Sequence, residues 1–469
     1  MKDWNGRRVV ILGAARQGLA LARYLSRHGA RVTLNDRRSQ DELDAARAAL
    51  ADIQGRTAYP VKWVCGGHPP EVLEGAELVC LSGGVPTTLP LVVEAQARRI
   101  PLSNDSQIFL ELAPCRVIGI TGSAGKTTTT TLVGRMAQAA VTADQTKLRR
   151  VWVGGNIGSP LISVVDEMSP QDLVVMELSS FQLEIMTKSP QIAAVLNITP
   201  NHLDRHGSMQ AYTAAKARII QHQTPDDIAV LGRDDRGAWS LAEKVQGRLM
   251  TFGLEQPRAN QIPGTFMRQG ELYFEQGGET AWLMSRTMIG LRGEHNLLNV
   301  LAACAISLAA DLPLEAIRQG VRGFSGVAHR LEFVRTWGGA DWYNDSIATA
   351  PERTIAAIRS FDEPLVLLVG GRDKDLPWDE LAALAGERVR RLIVFGEAAE
   401  KIIQAMEAGQ TGRLPPITRC AGLKQAVQVA AQVVLPGDVV LLSPGGTSFD
   451  EFRDFEERGE CFKQLVMQL

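Results

Sequence analysis

Lys126 and Thr127 close the stretch TGSAGKT, which follows the apolar run CRVIGI and leads into residues that can continue as a helix. A glycine-rich turn ahead of a helix wraps phosphate with backbone N–H groups and adds the favourable end of the helix dipole. In that setting the Lys126 ammonium would neutralise phosphate oxygens and the Thr127 hydroxyl would offer an oxygen to Mg2+. The strict phosphate-loop spacing puts its first glycine at position 120, which is isoleucine here, and Gly122 and Gly125 make a one-residue variation on it. Gly122, Ser123, Ala124, Gly125, Lys126, Thr127 and Thr128 are therefore expected to hold ATP or GTP. A plain glycine turn before a helix is the bland alternative.

Three further side chains could join that chemistry. Glu177 stands directly after the apolar run LVVM, where a carboxylate at the carboxyl end of a parallel strand meets a metal. His202, in NITPNHLDRHG, follows another strand end, but imidazole is a softer ligand than Mg2+ favours, so its chemistry alone leaves its role even. His206 and His222 read as surface or capping residues. Lys216, in YTAAKARII, sits on a helix, where a lone lysine is ordinarily solvated.

The elements that must position these residues read as α/β throughout. RRVVILG, LALARYLSRHG and ARVTLND form a strand–helix–strand unit, and the pattern continues through AELVCLSGG and RIPLSND to about Leu112. Gly13, Ala15 and Gly18 only loosely match a dinucleotide fingerprint, because the middle glycine is missing. A nucleoside diphosphate held over the helix N-terminus fits better, with Asp36 and Arg37 ending the second strand close by. CRVIGI, DLVVMELSS and QIAAVLNIT read as central parallel strands of a second domain. Its later pieces, RLMTFG and ELYFEQGGETAWLMS, read as smaller antiparallel strands, and GEHNLLNVLAACAISLAADL as a helix with His295, Asn296 and Asn299 at its start. DEPLVLLVGG, VRRLIVFG and GDVVLLSPG, each followed by a helical run, make another α/β sheet. The expected architecture is three domains: Rossmann-like over 1–112, a central P-loop domain over 113–326, and a second Rossmann-like domain over 327–469.

Global composition narrows the partners. Fifty Lys and Arg against fifty-two Asp and Glu give a net charge of -2, which argues against a nucleic-acid binder. The six cysteines show neither disulfide nor zinc spacing. No apolar stretch has the length of a bilayer span, and the chain opens directly on a strand, so a cytoplasmic protein without leader or membrane partner is expected.

GITGSAGKTTTT, GGNIGSP, MELSSFQLE, NITPNHLDRH, AAKARI, GEHNLLN, AHRLE, NDSIAT and LLSPGGTSFDEF occur in the order they take in the Mur ligases, a family the chain resembles over essentially its whole length. Those enzymes are ATP-dependent, amide-forming ligases that add amino acids to UDP-N-acetylmuramic acid during peptidoglycan synthesis. ELSSFQLE and SPGGTSFDEFRDFEERG are most similar to the branch that joins D-glutamate to UDP-N-acetylmuramoyl-L-alanine. The resemblance implies an acyl-phosphate route, with Lys126 on the ATP phosphates and Thr127 and Glu177 holding one Mg2+. It implies that Lys216 is carbamylated and, with His202, holds a second Mg2+; a carbamate turns an amine into the oxygen donor a hard metal takes. Asn296 and Asn299 would lie on the adenine side, and Arg330 and Asp345 would meet ATP when the domains close. Ala14, Ala15, Arg16, Asp36 and Arg37 would hold the UDP group, and Asn156 and Ser179 the rest of that substrate. Thr349, Lys374, Ser448, Phe449 and Phe455 would line the D-glutamate pocket, and a monomer would suffice. A ligase for another acidic amino acid, a relative of the folylpolyglutamate synthases and a phosphate-loop switch are the rival readings. The chain departs from the family pattern at three places. Ala124 replaces a common asparagine, Asn201 an acidic residue of some members, and Ile347 the lysine of NDSKAT versions. A cationic partner for the amino acid or the phosphate would then be replaced by some other group.

Overall fold

The computed structural model describes residues 3–53, 55–257, 262–408 and 414–469. Among these the strands gather into three sheets, and the chain divides into two compact units, one of residues up to 289 with 294–322, the other of 290–293 with 323–469. All six cysteines are free thiols. No helix among the described residues is long and apolar enough to cross a membrane.

The first unit holds two sheets. β1 (Arg8–Leu12), β2 (Arg31–Asp36), β3 (Lys62–Cys65), β4 (Leu78–Leu81) and β5 (Leu102–Ser103) pair in parallel in the order β3-β2-β1-β4-β5. The helix Arg16–Arg27 follows β1 and buries Leu21, Ala22 and Leu25, one stripe at helical spacing. Gly18 lets it approach, since a Cβ there would stand 2.0 Å from the carbonyl oxygen of Gly13. The larger sheet runs through β6 (Arg116–Thr121), β7 (Val151–Gly155), β8 (Leu173–Glu177), β9 (Ile192–Val195), β10 (Ile228–Gly232), β11 (Arg248–Phe252), β12 (Gly264–Arg268), β13 (Glu271–Gln276) and β14 (Glu279–Ser285). Its order is β14-β13-β12-β11-β10-β9-β6-β8-β7. β6, β8 and β9 are buried almost throughout because helices cover both faces, as their unbroken apolar runs anticipate. One apolar core joins the two sheets, from Ile11 and Leu34 through Phe109 and Leu161 to Val174 and Val195.

One strand departs from expectation. RLMTF, expected to be antiparallel, pairs in parallel with both β10 and β12 and extends the large sheet; only β12–β14 form antiparallel pairs. The reason is the connection: a crossover containing the Arg236–Trp239 helix separates β10 from β11, and such a crossover returns a strand in the same direction.

The second unit has the sheet β15 (Glu332–Trp337), β16 (Ala340–Asn344), β17 (Leu365–Gly370), β18 (Val389–Phe395), β19 (Ile417–Arg419) and β20 (Val439–Gly445), ordered β15-β16-β20-β17-β18-β19. Only β15–β16 is antiparallel, and apolar cores cover both faces. β16, β20 and β17 are adjacent and parallel, so the loops leaving their carboxyl ends share one edge. In the first unit, β1 and β6 likewise each lie between two parallel neighbours reached by crossovers on opposite sides. Ligands of open α/β sheets bind beyond the carboxyl ends of such strands.

Candidate active site

β6 ends at Thr121, and the Lys126–Thr142 helix starts after a short loop, with Gly125 as N-cap in the left-handed region at φ +81°. The first N–H groups of a helix lack acceptors inside it, and the positive end of the helix dipole lies at this end, beside the loop. Lys126 Nζ folds back over the loop, donating to the carbonyls of Gly122 (2.8 Å) and Ser123 (3.2 Å). Asn197, just beyond β9, fastens the outer half of the loop. Its carbonyl accepts from Ser123 N (2.9 Å), its Oδ1 accepts from Ala124 N (2.8 Å), and its Nδ2 donates to Ala124 O (3.1 Å). The Ser123 and Ala124 amides, expected to face phosphate, are thus engaged within the chain. Ser123 Oγ is also held, donating to Thr199 O at 2.9 Å and lying 3.0 Å from the Tyr212 hydroxyl. Asn299, from the Glu294–Ala309 helix, presses on Gly125: a Cβ there would meet its Oδ1 at 2.1 Å. Asn299 Nδ2 in turn donates to Asn296 Oδ1 at 3.1 Å, so both asparagines are gathered beside the loop.

Thr127 and Asn156, widely separated in the chain, meet at Glu177, which is 1% exposed. Its Oε2 accepts from Thr127 Oγ1 (2.9 Å) and its Oε1 from Asn156 Nδ2 (2.7 Å), while Arg16 Nη2 donates to the Asn156 carbonyl at 3.2 Å. Lys216 is equally buried. Its Nζ donates to Gly122 O (2.9 Å) and Thr121 Oγ1 (3.3 Å), 4.8 Å from the centre of the Tyr212 ring. Gly122 O therefore receives both lysines. Burial first, and then the nearby Lys126 charge, lower the Lys216 pKa to about 6 against the pull of Glu177, so its amine is largely neutral at pH 7. Among the described residues no three His, Cys, Asp or Glu side chains gather at metal-binding spacing. The donors that fit Mg2+ here are hard oxygens: the Thr127 hydroxyl, the Glu177 carboxylate and whatever oxygens a ligand or a modified Lys216 adds.

His202 caps the short Leu203–His206 helix at φ +52°, and its ring lies 5.0 Å from that of Phe181. Phe181 is also stacked on His206 at 5.3 Å, and the Arg205 guanidinium sits over it at 3.9 Å. Arg205 donates to the Gly84 and Val85 carbonyls at 3.2 and 2.8 Å, and Glu184 accepts from Thr87 Oγ1 at 2.7 Å, so ELSSFQLE binds the loop after β4 to the His202 segment. Ser179 is spent on structure: it forms a capping box with Gln182. Asn197, Phe181, Arg205 and Tyr212 all lie in or beside quoted motifs, yet no spacing rule singles them out.

At the first sheet, Asp36 is turned inward. Its carboxylate accepts from Ala14 N (2.8 Å) and from Arg38 Nε and Nη2 (3.0 and 2.8 Å). Burial opposes its ionisation, but the Arg38 hydrogen bonds prevail and hold it well below the usual carboxylate range. Arg38 makes this pair, whereas Arg37 is exposed. Ala15, also exposed, is the N-cap of the Arg16–Arg27 helix.

In the second unit, the loop after β16 carries Asp345, whose oxygens accept from Leu331 N (3.2 Å) and Ser443 Oγ (2.8 Å). Burial pushes its pKa up to about 7 against those hydrogen bonds and the charges of Arg330 and Arg353. Arg330 lies between His329 and Leu331, both at positive φ. Thr349 is half-buried, Lys374 is exposed after β17, and Ser448 is buried after β20 beside the exposed Phe449. The loops after β17 and β20 are joined through Arg372 and Thr447, whose backbones exchange hydrogen bonds at 2.8 and 2.9 Å. Phe455 meets the His329 ring edge-on at 6.1 Å.

Three family models match this chain in succession: a MurD-like Mur ligase N-terminal domain over residues 7–103, the Mur ligase middle domain over 120–307, and the Mur ligase glutamate ligase domain over 329–446. The UDP-N-acetylmuramoylalanine–D-glutamate ligase of Symbiobacterium thermophilum is 41% identical over 462 residues, 98% of each chain. That of Pelotomaculum thermopropionicum is 39% identical over 470 residues, 100% of this chain and 99% of its own. Of solved structures, the UDP-N-acetylmuramate–alanine ligase of Thermotoga maritima superposes with a TM-score of 0.57 at 18% identity, covering 98% of this chain and 99% of that one. A pseudomurein peptide ligase from Methanothermus fervidus gives 0.54 at 16%, covering 99% and 100%, a likeness of fold.

Proposed function

Because the chain belongs to the Mur ligase family, we propose that it joins D-glutamate to the L-alanyl carboxylate of UDP-N-acetylmuramoyl-L-alanine, cleaving ATP to ADP and phosphate, in peptidoglycan precursor synthesis. The observation that carries the reading is the convergence of Lys126 and Lys216 on Gly122 O beside the Thr127–Glu177–Asn156 set. A carboxylate at neutral pH needs a leaving group before an amine can displace it. Transfer of the ATP γ-phosphoryl group to the acceptor carboxylate supplies one; the glutamate amine then attacks the acyl carbon and inorganic phosphate leaves. The protein's part in phosphoryl transfer is positioning and charge. Lys126 and the N–H groups at the start of its helix would cradle phosphate, with Asn299 packed against Gly125. Bound Mg2+ supplies neutralisation of the phosphoryl oxygens, with Thr127 and Glu177 to hold one ion and His202 and a carbamylated Lys216 a second. Burial keeps Lys216 neutral, as an amine must be to take up CO2.

The finer architecture belongs to the same proposal: a Rossmann-like UDP domain over 1–112, a P-loop ATP domain over 113–326, and a Rossmann-like amino-acid domain over 327–469. So do the roles of Ala14, Arg16 and Asn156 on the UDP substrate and of Thr349, Lys374, Ser448 and Phe455 on glutamate. We place the enzyme in the cytoplasm as a monomer acting on small molecules. Phosphate release with ATP and Mg2+ tests the reading. It should require both the UDP-muramoyl acceptor and D-glutamate, and L-glutamate should not substitute. Release without an acceptor, or with L-glutamate alone, would overturn it.

A further inference from the structure

The loop between Asp345 and Thr349 has Ile347 at its centre, a residue that brings no charge. Backbone hydrogen bonds hold this loop on every side. Ile347 N donates to His329 O (3.1 Å), Gly445 N donates to Ala348 O (2.8 Å), and Thr349 N donates to the Ile347 carbonyl (2.9 Å). That carbonyl accepts a second hydrogen bond, from Arg353 Nη1 at 3.1 Å. Arg353 lies in the first turn of the Pro351–Ile358 helix, where Pro351 fixes the angle at which the helix leaves the loop. Its guanidinium is therefore folded back against the loop, on the carbonyl that the Thr349 amide also uses. Its charge reaches Asp345, which it and Arg330 favour in the ionised form.

Among the described residues, the Ile347 carbonyl is the one hydrogen-bond partner of the Arg353 side chain, and the residue is exposed. A guanidinium carries five N–H donors in a planar fork that matches a carboxylate or phosphoryl group. With one donor used as an anchor, the rest of the fork is available to an oxyanion. We propose that Arg353 contacts substrate, presenting its guanidinium beside Thr349 to an oxyanion of the reactants, either a carboxylate of the amino acid or the phosphoryl group. It thereby supplies the cation that this chain lacks at position 347. The proposal rests on the reading of the loops after β16, β17 and β20 as the amino-acid pocket.

The test compares Arg353→Gln, Arg353→Lys, the double variant Arg353→Gln/Ile347→Lys, and Lys374→Ala. D-glutamate and ATP are titrated separately in the phosphate-release assay, and the melting temperature of each protein is recorded. Loss of a charged hydrogen bond in Arg353→Gln should lower kcat/KM by on the order of 10- to 100-fold. The loss should fall on D-glutamate if the oxyanion is its carboxylate, and on ATP if it is the phosphoryl group. Arg353→Lys should recover part of it, and a lysine at 347 in the glutamine background should recover more, a rescue that a purely structural role would not give. The exposed side chain should leave the melting temperature unchanged. Unchanged kcat/KM for both reactants in Arg353→Gln overturns the proposal, as does a loss that neither lysine restores. If Lys374→Ala raises the KM for D-glutamate while Arg353→Gln changes kcat/KM for neither reactant, the Arg353 assignment alone fails; if Lys374→Ala has no effect on it, the pocket reading fails.

Discussion

Glu177→Gln should fold as well as the parent and lose on the order of 10²- to 10³-fold in kcat, the scale of removing one preorganised electrostatic group from a transition state. The substitution isolates charge from shape. Oε1 of Glu177 faces a donor, the Asn156 amide, and Oε2 faces the Thr127 hydroxyl, which can donate or accept. A glutamine keeps its oxygen toward Asn156 and turns its NH2 toward Thr127, whose hydroxyl then accepts. Every buried hydrogen bond survives, so stability should hold within about 1 kcal/mol. What disappears is the negative charge that Glu177, beside the neutral Thr127 hydroxyl, would offer to a bound Mg2+. Single-turnover phosphate release, with a thermal melt alongside, checks this; a kcat within threefold of the parent at unchanged stability would show that Glu177 serves only to position Asn156.

Lys216→Ala should be the more severe lesion, at on the order of 10³-fold or greater in kcat, with partial recovery on adding a short carboxylate such as acetate. The recovery follows from chemistry: if the working group is a carbamate, a diffusible oxygen anion can fill its place, whereas an amine cannot. Carbamate forms when the neutral Nζ attacks CO2, making an N–C bond and releasing a proton. With the pKa lowered to about 6, bicarbonate-dependent activity should rise with pH through that value and fall away below it. The linkage sign agrees. Between about pH 6 and the ordinary lysine value of 10.5 the unfolded chain binds more protons than the folded one, so stability rises with pH across that window, and the full cost of burial is felt below about 6. Restoration by methylamine but not by acetate, or full activity in Lys216→Arg, would contradict the carbamate.

Much of the candidate site is legible in the sequence, and the gaps have physical causes. The glycine loop, Glu177 and the strands CRVIGI and LVVME announce themselves because buried parallel strands are apolar on both faces and their polar residues appear only at the carboxyl end. Lys216 was opaque on composition and periodicity, since a helical lysine is solvated unless the packing around it says otherwise; its burial is a tertiary fact. The same holds for Asn197, whose three hydrogen bonds to the loop arise from β9 lying beside β6. Adjacent arginines at a turn defeat spacing rules as well, so Arg38, the partner of Asp36, could not be told from Arg37. RLMTF misled because alternation looks alike in parallel and antiparallel strands, and only the crossover decides. Arg353 was invisible because an arginine in the first turn of a helix reads as surface, until its guanidinium is found on Ile347 O.

The central claim is that the acceptor carboxylate is activated by taking a phosphoryl group. It is tested most directly with UDP-N-acetylmuramoyl-L-alanine carrying 18O in both carboxylate oxygens, by mass analysis of the phosphate released with D-glutamate. Activation through an acyl phosphate leaves one labelled carboxylate oxygen in each phosphate and the other in the amide product. Phosphate free of label, formed while the amide accumulates, would mean that the ATP is hydrolysed by water and that the carboxylate is activated by some other route.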